Sequence, residues 1–170
     1  MVAIITLENI DLQKNITATL DYIGKEESAF ILETGKIYKT KELLTNALIS
    51  SDNDSARLLA GVLGEENFVA KMNQKAHSLG LNKTFFVNST GLDPKDLSAG
   101  INISSATDLA NLLIYIKSRH PEILRISSRP QYNICDINDY CKMVLNTDKL
   151  LENKDFRFKI IGGKTGSTDL

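Results

Sequence analysis

Between Thr40 and Ile116 apolar residues recur at helical spacing in four separate runs, and this limits the chain more than any other feature. Leu43, Leu44, Ala47 and Leu48 share one face of a segment over 41–49, with Thr40 expected as its N-cap. Ala56, Leu59, Val62 and Leu63 form a second run that begins near Asp54 and stops at Gly64. Phe68, Val69, Met72, Ala76 and Leu79 form a third, closed by Gly80. Leu109, Leu112, Leu113 and Ile116 form a fourth behind Ser104 or Ser105, and Pro121 opens a short further helix. Residues 1–10 are apolar without a preceding cap, as in a buried helix entered partway along. Short extended pieces are expected at 16–20, 30–32, 36–38 and 84–87, with turns at Gly24 and Gly35. Beyond Ser127 the pattern is mixed until Phe158–Ile161, a candidate strand running into Gly162-Gly163-Lys164-Thr165-Gly166-Ser167-Thr168. A helical centre with one strand at its far end predicts an α+β domain whose sheet is mostly missing, because a lone strand has no stability of its own.

The 170 residues suit one domain, and 42% hydrophobic content is enough for a core. Twenty basic against 21 acidic residues leave a net charge of −1, which gives no electrostatic basis for a nucleic-acid partner. No apolar run approaches the roughly 20 residues of a membrane-spanning helix, and Met1–Leu7 lacks the basic leader of a signal peptide. Cys135 and Cys141 are six apart; spacing leaves open a bridge or two unrelated thiols, with separate structural roles preferred. His77 and His120 lie far from them, so no metal site is expected; His77 falls on the polar side of its helix and His120 near a helix end.

Two tripeptides carry chemistry. Ser51-Asp52-Asn53 lies in a helix–helix link, and Lys164-Thr165-Gly166 ends the candidate strand. Taken singly each is ordinary, since Ser51 or Asn53 could serve only to cap the following helix. Together, 113 residues apart and in this order, they match two of the three signatures of serine enzymes that react with penicillin. A P-loop is excluded because its first glycine would fall on Phe158, and no Gly-x-Ser-x-Gly elbow occurs.

The stretch Leu43 to Ala60 resembles the Ser-x-Asn region of low-molecular-mass penicillin-binding D-alanyl-D-alanine carboxypeptidases. Thr84-Phe85-Phe86-Val87-Asn88-Ser89-Thr90-Gly91-Leu92-Asp93 is similar to a phrase of the same family. Asn146-Thr147-Asp148-Lys149-Leu150-Leu151 followed by Gly163–Gly166 resembles the approach to its Lys-Thr-Gly strand. Ala3–Asn9 resembles the helix that continues after the family's Ser-x-x-Lys, yet no serine here has a lysine three positions on. The expectation is therefore a single incomplete catalytic domain over 1–170, with a β-lactamase/penicillin-binding transpeptidase-like fold and the nucleophile's motif outside the chain.

The resemblance implies a serine peptidase that removes the terminal D-alanine of peptidoglycan stem pentapeptides through an acyl-enzyme. Ser51 would relay a proton to the leaving amine, and Asn53 would position the substrate amide. Lys164 would supply positive potential, Thr165 would hold the substrate carboxylate, and Gly166 would admit the substrate backbone. Ser167 would give half of the oxyanion hole through its N–H. No cofactor is implied. β-Lactams would be inhibitors, the location would be the cell envelope outside the cytoplasmic membrane, and any membrane anchor would lie outside this chain. Ser51-Asp52-Asn53 also spells the class A β-lactamase motif, but the Glu-x-x-Leu-Asn of those enzymes is absent. A non-catalytic peptidoglycan-binding relative is the remaining reading. On the carboxypeptidase reading, the chain by itself catalyses nothing.

Overall fold

The computed structural model describes residues 1–24, 32–94, 98, 100–153 and 155–166. The element order is α1 (Val2–Asn9), β1 (Asn15–Thr17), β2 (Ile37–Lys39), α2 (Thr40–Ile49), α3 (Asn53–Gly61), α4 (Glu65–Ser78), α5 (Ala106–Arg119) and α6 (Pro121–Ser127). The strands β3 (Gln131–Cys135) and β4 (Cys141–Leu145) and a 3₁₀ turn at Lys149–Glu152 follow. The expected α+β class is observed, with little sheet: β1–β2 and β3–β4 are separate antiparallel pairs.

The helix α1 is apolar nearly all round and is accordingly buried, with Ile4 and Ile5 at 0% and 1% exposure. It meets α2, α3 and α4. Leu43, Leu44 and Ile49 of α2 and Leu58 and Leu59 of α3 join Ile4 in the main core. Phe68 and Met72 of α4 close a second cluster around Ile5 and Ala60. Gly80 takes φ of +70° just past the end of α4, where the pattern placed it, but α3 already ends at Gly61, before Val62 and Leu63, and Gly64 at φ +83° is instead the N-cap of α4. Ser105, the second of the two candidate caps, accepts the Asp108 N–H at 3.2 Å. His77 is exposed on α4, and His120 sits between α5 and α6.

Several expectations need correction. Thr40 does not cap α2; Lys39 is the N-cap and makes no side-chain bond to the helix, and the Thr40 hydroxyl donates to the Lys14 carbonyl at 3.2 Å. The piece expected at 30–32 falls largely outside the described residues, and 84–87 contributes only an isolated bridge between Phe85 and Ile103. The mixed region after Ser127 contains a regular hairpin in which Cys135 and Cys141 face each other, Cα atoms 4.0 Å apart, in a disulfide. The hairpin turn is held by Asp136, whose Oδ1 accepts the N–H groups of Asn138 and Tyr140 at 2.8 and 3.0 Å. Ile137 N–H then docks on the Ile37 carbonyl at 2.9 Å, tying the turn to β2. Finally, Phe158–Ile161 is not a strand. It has no ladder partner among the described residues, and Phe158 is 77% exposed.

Candidate active site

The two motifs meet although Phe158–Ile161 makes no strand. On one side, α2 ends at Ile49 and α3 begins at Asn53, so Ser50, Ser51 and Asp52 turn the chain. Asp52, not Ser51 or Asn53, is the N-cap: its Oδ2 accepts the Ser55 N–H at 2.8 Å and the Ser55 hydroxyl at 2.7 Å. The network continues inward. Asn46 Nδ2 donates to Ser55 Oγ at 2.9 Å, and Ser50 Oγ donates to Asn46 Oδ1 at 2.7 Å. Asn46, Asp52 and Ser55 are buried, so this satisfied polar cluster fixes the turn's shape. One consequence is Ser51 at φ +59°. A left-handed serine costs about 1–2 kcal/mol, and such strain gathers where a side chain has to be displayed. Ser51 and Asn53 are both half-buried.

On the other side, β4 runs into Asn146, which is buried. Its Nδ2 donates to the carbonyls of Ser127 and Arg129 at 2.9 Å each, and its Oδ1 accepts the Asp148 N–H at 2.9 Å. Thr147 N–H donates to the Ile49 carbonyl at 3.0 Å, joining this strand end to the end of α2. The segment that carries the second motif then lies along α6. Gly162, at φ +141°, comes so close that a Cβ there would stand 2.6 Å from the Leu124 carbonyl oxygen and 2.7 Å from Ser127 Oγ. Gly163 N–H donates to Ser127 Oγ at 3.2 Å.

This places Lys164 Nζ 2.5 Å from Ser51 Oγ and 2.8 Å from the Thr165 carbonyl, donating to both. The residue as a whole is exposed, but protein atoms crowding its ammonium lower its pKa below the ordinary lysine value by desolvation. Thr165 Oγ1 lies 2.5 Å from Thr147 Oγ1. Gly166 is exposed, and a Cβ built on it meets no described atom within 4 Å. Of the expected site residues, Ser51, Lys164 and Thr165 are thus drawn together. Asn53 starts the helix beside them, Gly166 follows, and Ser167 lies outside the described residues. Sequence reasoning missed Thr147, Ser127 and Gly162 as supports. Thr147 fell inside a quoted motif, but its link to Ile49 depends on a fold contact that no spacing reveals.

A mostly helical α+β body with a Ser-x-Asn turn facing a Lys-Thr-Gly segment defines the penicillin-recognising class of serine peptidases. The D-alanyl-D-alanine carboxypeptidase family matches residues 1–170, and the chain belongs to that family. It is 31% identical over 170 residues to D-alanyl-D-alanine carboxypeptidase DacB2 of Mycobacterium tuberculosis, covering 99% of this chain and 56% of that protein. It is 36% identical over 132 residues to a D-alanyl-D-alanine endopeptidase of Escherichia coli, covering 76% and 40%. Among solved structures, a D-alanyl-D-alanine carboxypeptidase from Mycobacterium tuberculosis H37Rv superposes with a TM-score of 0.86 at 31% identity, over 99% of this chain and 61% of that one. Penicillin-binding protein D2 of Listeria monocytogenes, in its ampicillin-bound form, gives 0.75 at 26%, over 99% and 66%. The chain spans between 34% and 56% of the length of these curated relatives.

Proposed function

We propose that this chain forms the Ser-x-Asn and Lys-Thr-Gly walls of a serine-type D-alanyl-D-alanine carboxypeptidase site, as one incomplete catalytic domain. The Lys164–Ser51 contact carries this reading, because it joins two motifs 113 residues apart into one charged, solvent-reached pair. The nucleophile would come from a Ser-x-x-Lys segment, which this sequence does not contain. That serine attacks the carbonyl between two D-alanines; the C–N bond breaks, the last D-alanine leaves with a proton, and water hydrolyses the ester.

The residues at hand have defined parts in that scheme. Ser51 passes the proton to the leaving nitrogen, and Lys164 both donates to Ser51 and raises the positive potential at the substrate carboxylate. Its depressed pKa eases proton sharing with Ser51. Thr165 hydrogen-bonds the carboxylate, Asn53 positions the substrate amide, Gly166 leaves room for the substrate backbone, and Ser167 N–H lines the oxyanion hole. The substrate is the D-Ala-D-Ala end of a peptidoglycan stem peptide, and β-lactams acylate the same serine. The site works outside the cytoplasmic membrane; the Cys135–Cys141 disulfide supports a compartment that is not reducing.

The test is release of D-alanine from an N-acylated peptide ending in D-Ala-D-Ala, by this chain together with whatever coding sequence flanks it in frame. Lys164→Ala should lower kcat/KM roughly hundredfold, the scale of losing one preorganised electrostatic contact. Full activity in that variant would remove Lys164 from the site.

A further inference from the structure

We infer that Thr147 is a positioning residue that sets the direction of the Thr165 hydroxyl proton, and through it the preference for substrates with a free carboxylate. The inference rests on the reading of Thr165 as the carboxylate's hydrogen-bond partner. Thr147 Oγ1 lies 2.5 Å from Thr165 Oγ1 and 3.5 Å from the Ile49 carbonyl. Thr147 N–H is already bound to that same carbonyl at 3.0 Å, which fixes the residue's backbone independently of its hydroxyl.

Proton counting decides what the pair does. Each threonine hydroxyl has one proton to donate and lone pairs to accept with. If Thr147 donated to Ile49, Thr165 would have to donate to Thr147, and its proton would point away from the substrate. If Thr147 donates to Thr165, the Thr165 proton is free for an anion. The second arrangement uses the 2.5 Å contact and gives up only the 3.5 Å one, which is at the weak limit of a hydrogen bond. A carboxylate arriving beside Thr165 selects it further, because each donor in the chain Thr147 to Thr165 to carboxylate polarises the next. Thr147 is exposed, so burial does not account for this contact. Its anchor also matters: Ile49 ends α2 one residue before Ser50 and two before Ser51. The hydroxyl that orients Thr165 is therefore hung from the helix that displays Ser51, and both walls share one reference point.

The experiment compares benzylpenicillin with its methyl ester as acylating agents of this chain expressed with its in-frame flanking sequence. The unsubstituted protein, Thr147→Val, Thr147→Ser and Thr165→Val are measured side by side. Thr147→Val should slow acylation by the free acid about threefold to tenfold and leave the ester rate unchanged, so the acid-to-ester ratio falls. Thr147→Ser, which keeps the hydroxyl, should restore the ratio, and Thr165→Val should lower it at least as far as Thr147→Val. An unchanged ratio in Thr147→Val, or an equal fall for acid and ester, overturns the inference alone. No acylation of the unsubstituted protein, or an unchanged ratio in Thr165→Val, overturns the functional reading beneath it.

Discussion

Replacing Gly162 by alanine should free the Lys-Thr-Gly segment from α6 without unfolding the body. A Cβ at 162 would stand 2.6 Å from the Leu124 carbonyl oxygen and 2.8 Å from Leu124 Cα, both fixed backbone atoms of a helix, while φ is +141°. Holding the segment in place would cost about 1–3 kcal/mol of overpacking and a similar amount of backbone strain. Detachment is the alternative, and it loses what ties the segment down. Those ties are Gly163 to Ser127, Lys164 to Ser51 and Thr165 to Thr147. At about 1 kcal/mol each they sum to roughly 3 kcal/mol. The two costs cross near that value, so the stability loss should saturate at about 2–3 kcal/mol. Gly163→Ala is the control. Its Cβ would sit 3.3 Å from Asp148 Oδ2, a side-chain oxygen that can swing aside, and should cost under about 0.5 kcal/mol. Urea unfolding gives the energies, and amide exchange at Gly163 reports the attachment. Full protection of that amide in Gly162→Ala, with stability unchanged, would refute the reasoning.

Other consequences are briefer. Asp52→Ala removes the buried cap of α3 and one end of the Asn46–Ser55 network, so urea unfolding should show a loss of about 1–3 kcal/mol; under 0.5 kcal/mol would mean the turn is held otherwise. Reducing Cys135–Cys141 opens a six-residue separation and should cost about 2 kcal/mol in the chain-entropy account; a Cys135→Ser/Cys141→Ser double variant insensitive to reductant but as stable as the oxidised chain would contradict it. Burial raises the Glu8 pKa, but hydrogen bonds from Lys75, His120 and Tyr115 outweigh it and leave the carboxyl below its usual range. A depressed carboxylate stabilises the fold above its unfolded pKa and loses that contribution as pH falls through the folded value. Glu8→Gln should therefore lower stability at neutral pH and flatten the acid limb of a stability-against-pH curve; an unchanged acid limb would sink the assignment.

The helices were legible because their apolar stripes and glycine stops are local. Gly80 closes α4 where the pattern ended, and α1 reads as buried because Val2–Leu7 holds a single polar residue, Thr6. Thr40 misled because its hydroxyl found a carbonyl 26 residues away instead of its own helix. The hairpin was illegible for two reasons. Only Ile134 and Val144 of its ten strand residues are buried, and although Gln131–Ile134 alternates, the facing strand does not, with Lys142 half-buried and Met143 and Leu145 exposed. Its turn uses Asp136 as the tie and Asp139 at φ +60° where a glycine would have been a signal. The cysteine pairing follows from that register and was hidden with it. Phe158–Ile161 has strand composition but no ladder partner among the described residues, and a strand needs one. For the site, Ser51 and Lys164 were legible as motifs. Their supports were not, since Ser127, Gly162 and Thr147 act through contacts with residues far off in the chain: Ser127 Oγ accepts the Gly163 N–H, Gly162 packs on the Leu124 carbonyl, and Thr147 meets Ile49 and Thr165.

The most direct test of the central claim is intact-protein mass spectrometry after incubation with benzylpenicillin. One sample is the 170-residue chain alone; the other is the same chain expressed with its in-frame flanking sequence. The account predicts no adduct on the first, which holds no Ser-x-x-Lys, and a single acyl adduct on the second, mapped to a serine of that motif. An adduct on the chain alone, or no adduct on a second sample that does contain Ser-x-x-Lys, would contradict it.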